Sequence, residues 1–261
     1  MSATCLILAR RGSKGVPGKN MAIVAGRPCL AWTIDDAFNS REASRVLLST
    51  DWPEAAMLAR SMGCEVIDRP DSLAGDTATV DDAARHALPE GSTRGPIAIL
   101  YANVPVRPAG LIDSALRRMR EHGDDAVQSF APVGKHHPWW TARIDERTGR
   151  VRPWDGDRLF HGVYRRQALP AAFVPDGGVL VVTPEALHLR LAGVPEGPHA
   201  FLGREERRGA VLTIDGEVVD IDSPTDLVVA DVLLRARQRA GRGGIGGGVE
   251  GATRPACTGA A

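Results

Sequence analysis

The sequence has no surplus of either charge, no paired cysteines and no long apolar run, and each absence removes a class of function. Its 32 Lys and Arg are matched by 32 Asp and Glu, so the basic footprint of a dedicated nucleic-acid binder is missing. Any anion must then be held locally. The four cysteines, Cys5, Cys29, Cys64 and Cys257, are scattered without a CxxC pair or zinc spacing, which suits inert thiols in a reducing compartment. No apolar stretch approaches the roughly 20 residues of a membrane span. Arg10 and Arg11 follow an apolar run too short for a signal peptide. The expectation is a cytoplasmic chain with no membrane or nucleic acid among its partners. No internal repeat is visible.

What is present is 261 residues, 43% apolar, enough for one sizeable α/β domain or a domain with an insertion. Short apolar runs alternate with helical patterns, the sequence form of a mainly parallel sheet flanked by helices. Expected strands are Thr4 to Leu8, Arg45 to Ser49, Glu65 to Ile67, Ile97 to Leu100, Ala126 to Phe130, Val179 to Val182 and Val218 to Ile221. Expected helices are Leu30 to Asn39, Pro53 to Met62, Thr79 to Ala87, Leu111 to His122 and Pro184 to Leu191. A further long helix starts at Pro224. In the fourth helix, Leu111, Ile112, Ala115, Leu116 and Met119 form a stripe at helical spacing, which is ordinary core.

From Lys135 to Leu169 the texture changes, with Trp139, Trp140 and Trp154 in one short stretch. This segment (135–169) reads as an insertion carrying a small hairpin, its tryptophans suited to an interface or to packing on the main domain. It divides a core made of 1–134 and 170–239. The remaining 240–261 are Gly-rich with little apolar surface to offset ordering entropy, and are expected to be disordered. Gly241, Gly243 and Gly246 match GxGxxG there, but no strand precedes them and no helix follows, so they are no dinucleotide fingerprint.

The first segment with chemistry in it is LARRGSKGVPGKN, Leu8 to Asn20, at the end of the first strand. Gly12 and Gly15 let backbone N–H groups approach phosphate oxygens, and Arg10, Lys14 and Lys19 add positive charge. Gly12 to Gly18 is one residue too long for a P-loop, and Asn20 stands where a hydroxyl would be needed. On its own the segment is either a phosphate cradle or a solvated basic loop. The second is VVDIDSPTDL, Val218 to Leu227. Alternation along a strand puts Asp220 and Asp222 on one face and Ile221 in the core. Such a pair repels unless a cation neutralises it, and Mg²⁺ is typically held by one or two carboxylates together with phosphates. The alternative is that both are turn and cap residues. Ser223 as N-cap, Pro224 and Asp226 start the last helix.

With these blocks stand LSTD (Leu48 to Asp51), RPDSLAGDTAT (Arg69 to Thr79), HHP (His136 to Pro138) and RRQALPAAFVPDGG (Arg165 to Gly178). In this order and spacing, from about residue 4 to about residue 235, the chain resembles the acylneuraminate cytidylyltransferases. The resemblance implies a doubly wound, mainly parallel α/β domain of the nucleotide-diphospho-sugar transferase type, a small dimerisation insertion and a homodimer. It implies CTP and an acidic sugar as substrates, Mg²⁺ as cofactor, and release of pyrophosphate. Arg10, Lys14 and Lys19 match the residues that hold the triphosphate, in a loop with Leu8, Gly12, Ser13 and Asn20. Arg69 and Thr77 match positions near base and ribose, Arg166 and Gln167 an RQ pair near the sugar acid, and Asp220 and Asp222 the metal-binding aspartates.

The chain departs from the family pattern at three places, all expected on the sugar side. The family's LQPTSPLR is here LYANVPVR, with Tyr101 for glutamine and Asn103 and Val104 for Thr-Ser. Trp140 stands where a lysine is often found, and Val174 and Asp176 replace an arginine and an asparagine. These point to a sugar acid other than plain N-acetylneuraminate, and leave open KDO, a phosphonate, or a non-catalytic nucleotide-sugar sensor. His136 and His137, being adjacent, point apart and lack a third ligand, so no metal site is expected there. Asp81 and Asp82 suit a helix start.

Overall fold

In the computed structural model, which describes residues 2–13 and 15–243, the alternation of apolar runs and helical patterns becomes one sheet with helices on both faces. The chain runs through β1 (Ala3–Ala9), a hairpin of β2 (Ile23–Val24) and β3 (Arg27–Pro28), α1 (Cys29–Phe38), β4 (Ala43–Thr50), α2 (Pro53–Ser61), β5 (Glu65–Asp68), α3 (Val80–Ala87) and β6 (Ile97–Tyr101). It continues through α4 (Leu111–His122), β7 (Ala126–Pro132), a hairpin of β8 (Ala142–Asp145) and β9 (Arg150–Pro153), β10 (Phe173–Val182), α5 (Pro184–Leu187), β11 (Arg208–Leu212) and α6 (Pro224–Gly243). Lys14 and the tail beyond Gly243, including Cys257, lie outside the described residues.

The seven-stranded sheet has the order β11-β7-β10-β6-β1-β4-β5. All its neighbours pair in parallel except β10, which runs antiparallel to both β6 and β7. Period-2 alternation sorts β1 between two layers. Cys5, Ile7 and Ala9 face α1, α2 and α4, joining Leu30, Ile34, Ala59, Ala115 and Leu116. Leu6 and Leu8 face the other layer, with Ala83 and Ala84 of α3 and Leu187 of α5. A strand buried on both faces must be apolar throughout, which is why β1 reads ATCLILA.

After β1 the chain turns outward to β4 and β5, then returns to place β6 on the other side of β1. That reversal opens a crevice at the carboxyl ends of β1 and β6, the place where open α/β sheets bind ligands. A third apolar cluster closes the crevice from the C-terminal side. In it Val16 and Val24 pack with Val106, Ile221, Ala230 and Leu234, seating α6 beside the first loop.

Two expected elements differ. Val218 to Ile221 is not a strand of the sheet: Val219 bridges only to Val106, and Ile221 N donates to Asn103 O at 3.0 Å. Its partner is the irregular turn leaving β6, which cannot extend a ladder. The alternation nevertheless persists, with Val219 and Ile221 buried and Asp222 exposed. The helix expected to reach Leu191 stops at Leu187, and Leu189 follows at φ 55°. Residues 208–212 add an edge strand that alternation did not announce. No described helix is long and apolar enough to cross a membrane. Cys5, Cys29 and Cys64 are buried, their thiols pushed up to about 12 chiefly by burial, so they carry no thiolate chemistry at neutral pH.

Because Ile7 sits fully buried in the central strand, Ile7→Ala is expected to lower the unfolding free energy by about 2–5 kcal/mol. Urea unfolding of the two proteins measures it, and a loss below about 1 kcal/mol would show that β1 is not the packing centre.

Candidate active site

A cleft of about 390 Å³ lies at the crevice, lined by Leu8, Arg10, Gly12, Ser13, Lys19 and Asn20 from the first segment and by Asp222 from the last. Arg69, Tyr101 and Asn103 line it from the ends of neighbouring strands. The fold therefore gathers most of the positions singled out from the sequence, although they span more than two hundred residues.

The two segments touch through backbone. A Cβ on Gly15 would lie 2.3 Å from the carbonyl oxygen of Asp222, so only glycine permits this approach. Lys19 Nζ donates to Asp222 Oδ1 at 2.6 Å. Asp222 is fixed in turn by the start of α6, where its N–H and that of Ser223 donate to Asp226 Oδ2 at 3.0 and 2.7 Å. Asp226 N–H donates back to Ser223 Oγ at 3.4 Å. This reciprocal cap sets the direction in which the chain enters the helix.

Other contacts hold the loop open. Asn20 is buried and donates to Arg10 O at 2.8 Å, while its Oδ1 has no hydrogen-bond partner among the described residues. A buried acceptor left this way at a cleft is a place for a ligand donor or cation. Arg10 Nη1 bonds Gly75 O at 2.9 Å and Asp76 Oδ1 at 3.2 Å, tying the loop to residues 73–83. From that stretch Leu73, Ala78, Thr79, Val80 and Ala83 supply a largely apolar wall. The block RPDSLAGDTAT covers Leu73, Ala78 and Thr79 of this wall, and Val80 and Ala83 lie beyond it in α3. Arg69 is buried, its Nε on Ser49 Oγ at 3.1 Å and its Nη2 on Ser49 O at 2.9 Å. Asp51 accepts from Arg11 N–H at 2.8 Å and favours the charged Arg69 against the cost of burial.

Asp220 stands behind this lining. Asn103 Nδ2 donates to its Oδ1, and burial, then the charge of Asp222, pushes its carboxyl up to about 6. Tyr101 is raised by burial and then by Asp220. Two carboxylates that repel, beside a cleft with a partnerless amide oxygen, form a hard-oxygen donor set that fits Mg²⁺ completed by phosphate oxygens. Among the described residues no group of three or more His, Cys, Asp or Glu is arranged to hold a metal alone.

The remaining expected positions lie elsewhere. Thr77 is exposed on the rim loop and does not line the cleft. Arg166 and Gln167 are exposed in a turn within the 135–169 segment, with the Arg166 guanidinium beside Gly134. Asp176 was expected to face the acceptor, but its carboxylate accepts from Ser129 Oγ and Thr213 Oγ1, each at 2.5 Å, and from Gly178 N–H at 2.9 Å. It knits β7, β10 and the end of β11 together. Trp140 is pinned by its indole to Val163 O at 2.9 Å, and Val174 lies on β10 paired with Ala131. Of the three departures on the sugar side, only Tyr101 and its neighbour Asn103 reach the cleft. Lys14 lies outside the described residues. His137 is buried with Nε2 on Pro170 O at 3.1 Å and Nδ1 accepting from Trp139 N–H, a turn-holding arrangement.

Comparison with known proteins bears on the family and the fold. The sequence profile of the cytidylyltransferases matches residues 4–143. An N-acylneuraminate cytidylyltransferase of Streptococcus agalactiae is 30% identical over 187 residues, 71% of this chain and 44% of the relative. N-acylneuraminate cytidylyltransferase A of Danio rerio is 31% identical over 137 residues, covering 52% of this chain and 31% of the relative. The chain thus spans less than half the length of these relatives. Among solved structures, a 2-keto-3-deoxy-manno-octonic acid CMP synthetase complexed with CTP superposes with a TM-score of 0.65 at 16% identity, over 91% of this chain and 100% of the other. A 4-diphosphocytidyl-2C-methyl-D-erythritol synthase of Anaerococcus prevotii gives 0.59 at 13%, over 90% and 98%. At these identities the two structures speak to the fold alone.

Gly15→Ala forces backbone against backbone, with no flexible side chain to yield, so the loop must move. CTP affinity measured by calorimetry is expected to fall by about tenfold or more, equivalent to about 1.4 kcal/mol, with the melting temperature little changed. Unaltered affinity would show that the Gly15 approach does not shape the cleft.

Asp220 gives a pH dependence. Its unfolded value lies near about 3.9 and its folded value near about 6. Between these the folded state keeps a proton that the unfolded chain has lost, so stability falls as pH rises through the window and stays lower above it. Asp220→Asn removes this penalty and can keep the Asn103 contact. Without nucleotide or cation, it should melt higher than the wild type near about pH 8 and close to it near about pH 4. A gap independent of pH would contradict the assignment.

Proposed function

The chain belongs to the cytidylyltransferase family, and from that premise we propose that it transfers the CMP part of CTP to the anomeric hydroxyl of a nonulosonic sugar acid, releasing pyrophosphate. The observation that carries this reading is the meeting of the Gly-rich loop with Asp222, through the Gly15 approach and the 2.6 Å Lys19 contact. It sets cations, accessible backbone and carboxylates around one small volume.

In this reading Lys19, Arg10 and the loop backbone orient the triphosphate, and the wall from Leu73 to Ala83 takes the base beside Arg69. The acceptor oxygen bonds to the α-phosphorus as the bond to the bridging oxygen breaks. Pyrophosphate leaves and the hydroxyl proton passes to solution. Fixed cations that meet the growing charge on the leaving phosphates lower the barrier without reorganising. Asp220 and Asp222 would hold Mg²⁺, which when bound supplies further charge neutralisation to the phosphates. Mg²⁺ and a homodimer belong to the same proposal. The latter is supported by Ile144, Val151 and Trp154, exposed on and beside the β8–β9 hairpin.

The acceptor class is supported by the named relatives and refined by Tyr101. A phenol ring in place of an amide offers an apolar face with one polar atom. It suits a deoxy or more heavily acylated acid than N-acetylneuraminate, whose groups would lose water without regaining partners.

Pyrophosphate release from CTP and Mg²⁺, measured as kcat/KM over N-acetylneuraminate, KDO, legionaminate- and pseudaminate-type acids and a small phosphonate, tests this. A nonulosonic acid other than N-acetylneuraminate should lead. Asp222→Asn should fold normally and fall about 100-fold, roughly 3 kcal/mol of transition-state stabilisation. Preference for KDO or the phosphonate overturns the acceptor, no release with any acid overturns the transfer, and full activity in Asp222→Asn overturns the role given to that carboxylate.

A further inference from the structure

Arg107 does not line the cleft, yet its side chain is only 1% exposed and its guanidinium reaches the turn leaving β6 and the backbone of β10. Its Nε donates to Gly178 O at 2.6 Å, its Nη2 to Tyr101 O at 3.0 Å, and its Nη1 to Val104 O and, at 3.1 Å, to Thr33 Oγ1. Thr33 Oγ1 lies 3.2 Å from Val104 O and 3.4 Å from Tyr101 O, which makes it a second support for the same turn. Among the described residues Arg107 has one ion-pair partner, Asp36, 3.5 Å away. Burying a guanidinium against so loose a partner is a poor route to stability. What the planar fork accomplishes is geometric, since it binds carbonyls of two separate backbones at once.

One of those two backbones carries the groups that the transfer reading gives to the acceptor, and the other packs beside Asp220. The turn leaving β6 presents Tyr101 and Asn103, and Asn103 holds Asp220. The irregular stretch of β10 between Pro175 and Leu180 carries Gly177, whose added Cβ would lie 3.3 Å from Asp220 Oδ2. The phosphate loop, by contrast, receives no hydrogen bond from Arg107 among the described residues.

We propose that Arg107 is a positioning residue for acceptor specificity: through the carbonyls of Tyr101, Val104 and Gly178 it fixes the turn that presents Tyr101 and Asn103 to the bound sugar acid and leaves nucleotide binding untouched. The proposal rests on the transfer reading above. A lysine keeps the charge but replaces the planar fork by a point charge that cannot serve both backbones.

The test compares Arg107→Lys and Thr33→Val with the wild type in the full chain, using acceptor KM, CTP dissociation constant by calorimetry, and amide exchange of segments 101–104 and 8–13. For Arg107→Lys the acceptor KM should rise by about tenfold or more while the CTP constant moves less than about twofold, because a small misplacement of positioning groups costs that much. Thr33→Val should shift KM in the same direction by less, and it carries the comparison if Arg107→Lys does not fold. A rise in both constants together, or in neither, overturns the proposal. If the wild type transfers to no acid, the transfer reading fails on its own. Exchange then decides: faster exchange at 101–104 with 8–13 unchanged supports the clamp, and equal exchange overturns it.

Discussion

The site depends on one close approach, the backbone of Gly15 against that of Asp222. Every other feature of the cleft follows from bringing the first loop and the last turn to the same point. The accompanying Lys19–Asp222 pair is too exposed on the aspartate side, at 73%, to add much stability. Its effect is to hold an amine and a carboxylate where phosphate charge would arrive. The approach is supported from below by the Val16, Val106 and Ile221 cluster and from behind by the cap at Ser223 and Asp226.

The sheet explains why that point lies where it does. Reversal of strand order beside β1 leaves a crevice, and the segments that follow β1, β5 and β6 line it. One side of the cleft is built from the β1 loop and the 73–83 wall, bridged by Arg10. The turn leaving β6 contributes Tyr101 and Asn103 to the cleft and is joined to β10 by Arg107. Two arginines thus act in different ways: Arg10 faces the cleft, whereas Arg107 lies outside its lining and donates to three backbone carbonyls and to Thr33 Oγ1.

Much of this was legible in the sequence because the features were local. Six of the seven expected strands and the stripe on α4 followed from periodicity, and Gly12, Gly15 and Lys19 marked the loop that lines the cleft. What escaped notice was non-local. Arg107 ends LYANVPVR and looks like any surface charge, since nothing nearby in sequence shows that Thr33, Asp36 and Gly178 will surround it. Asp176 had the chemistry of an acceptor contact, but Ser129 and Thr213 take its oxygens from strands distant in the chain. Val218 to Ile221 kept its alternation yet lacked a regular strand to pair with, so the pattern gave the burial correctly and the ladder wrongly.

That two segments at opposite ends of the chain make one phosphate site can be measured directly by amide hydrogen exchange with and without CTP and Mg²⁺. The predicted result is slowed exchange in residues 10–20 and in residues 220–226 together. Slowing in only one of them, or slowing confined to the groove beside Asp36, Arg41 and Asp113, would contradict a shared site.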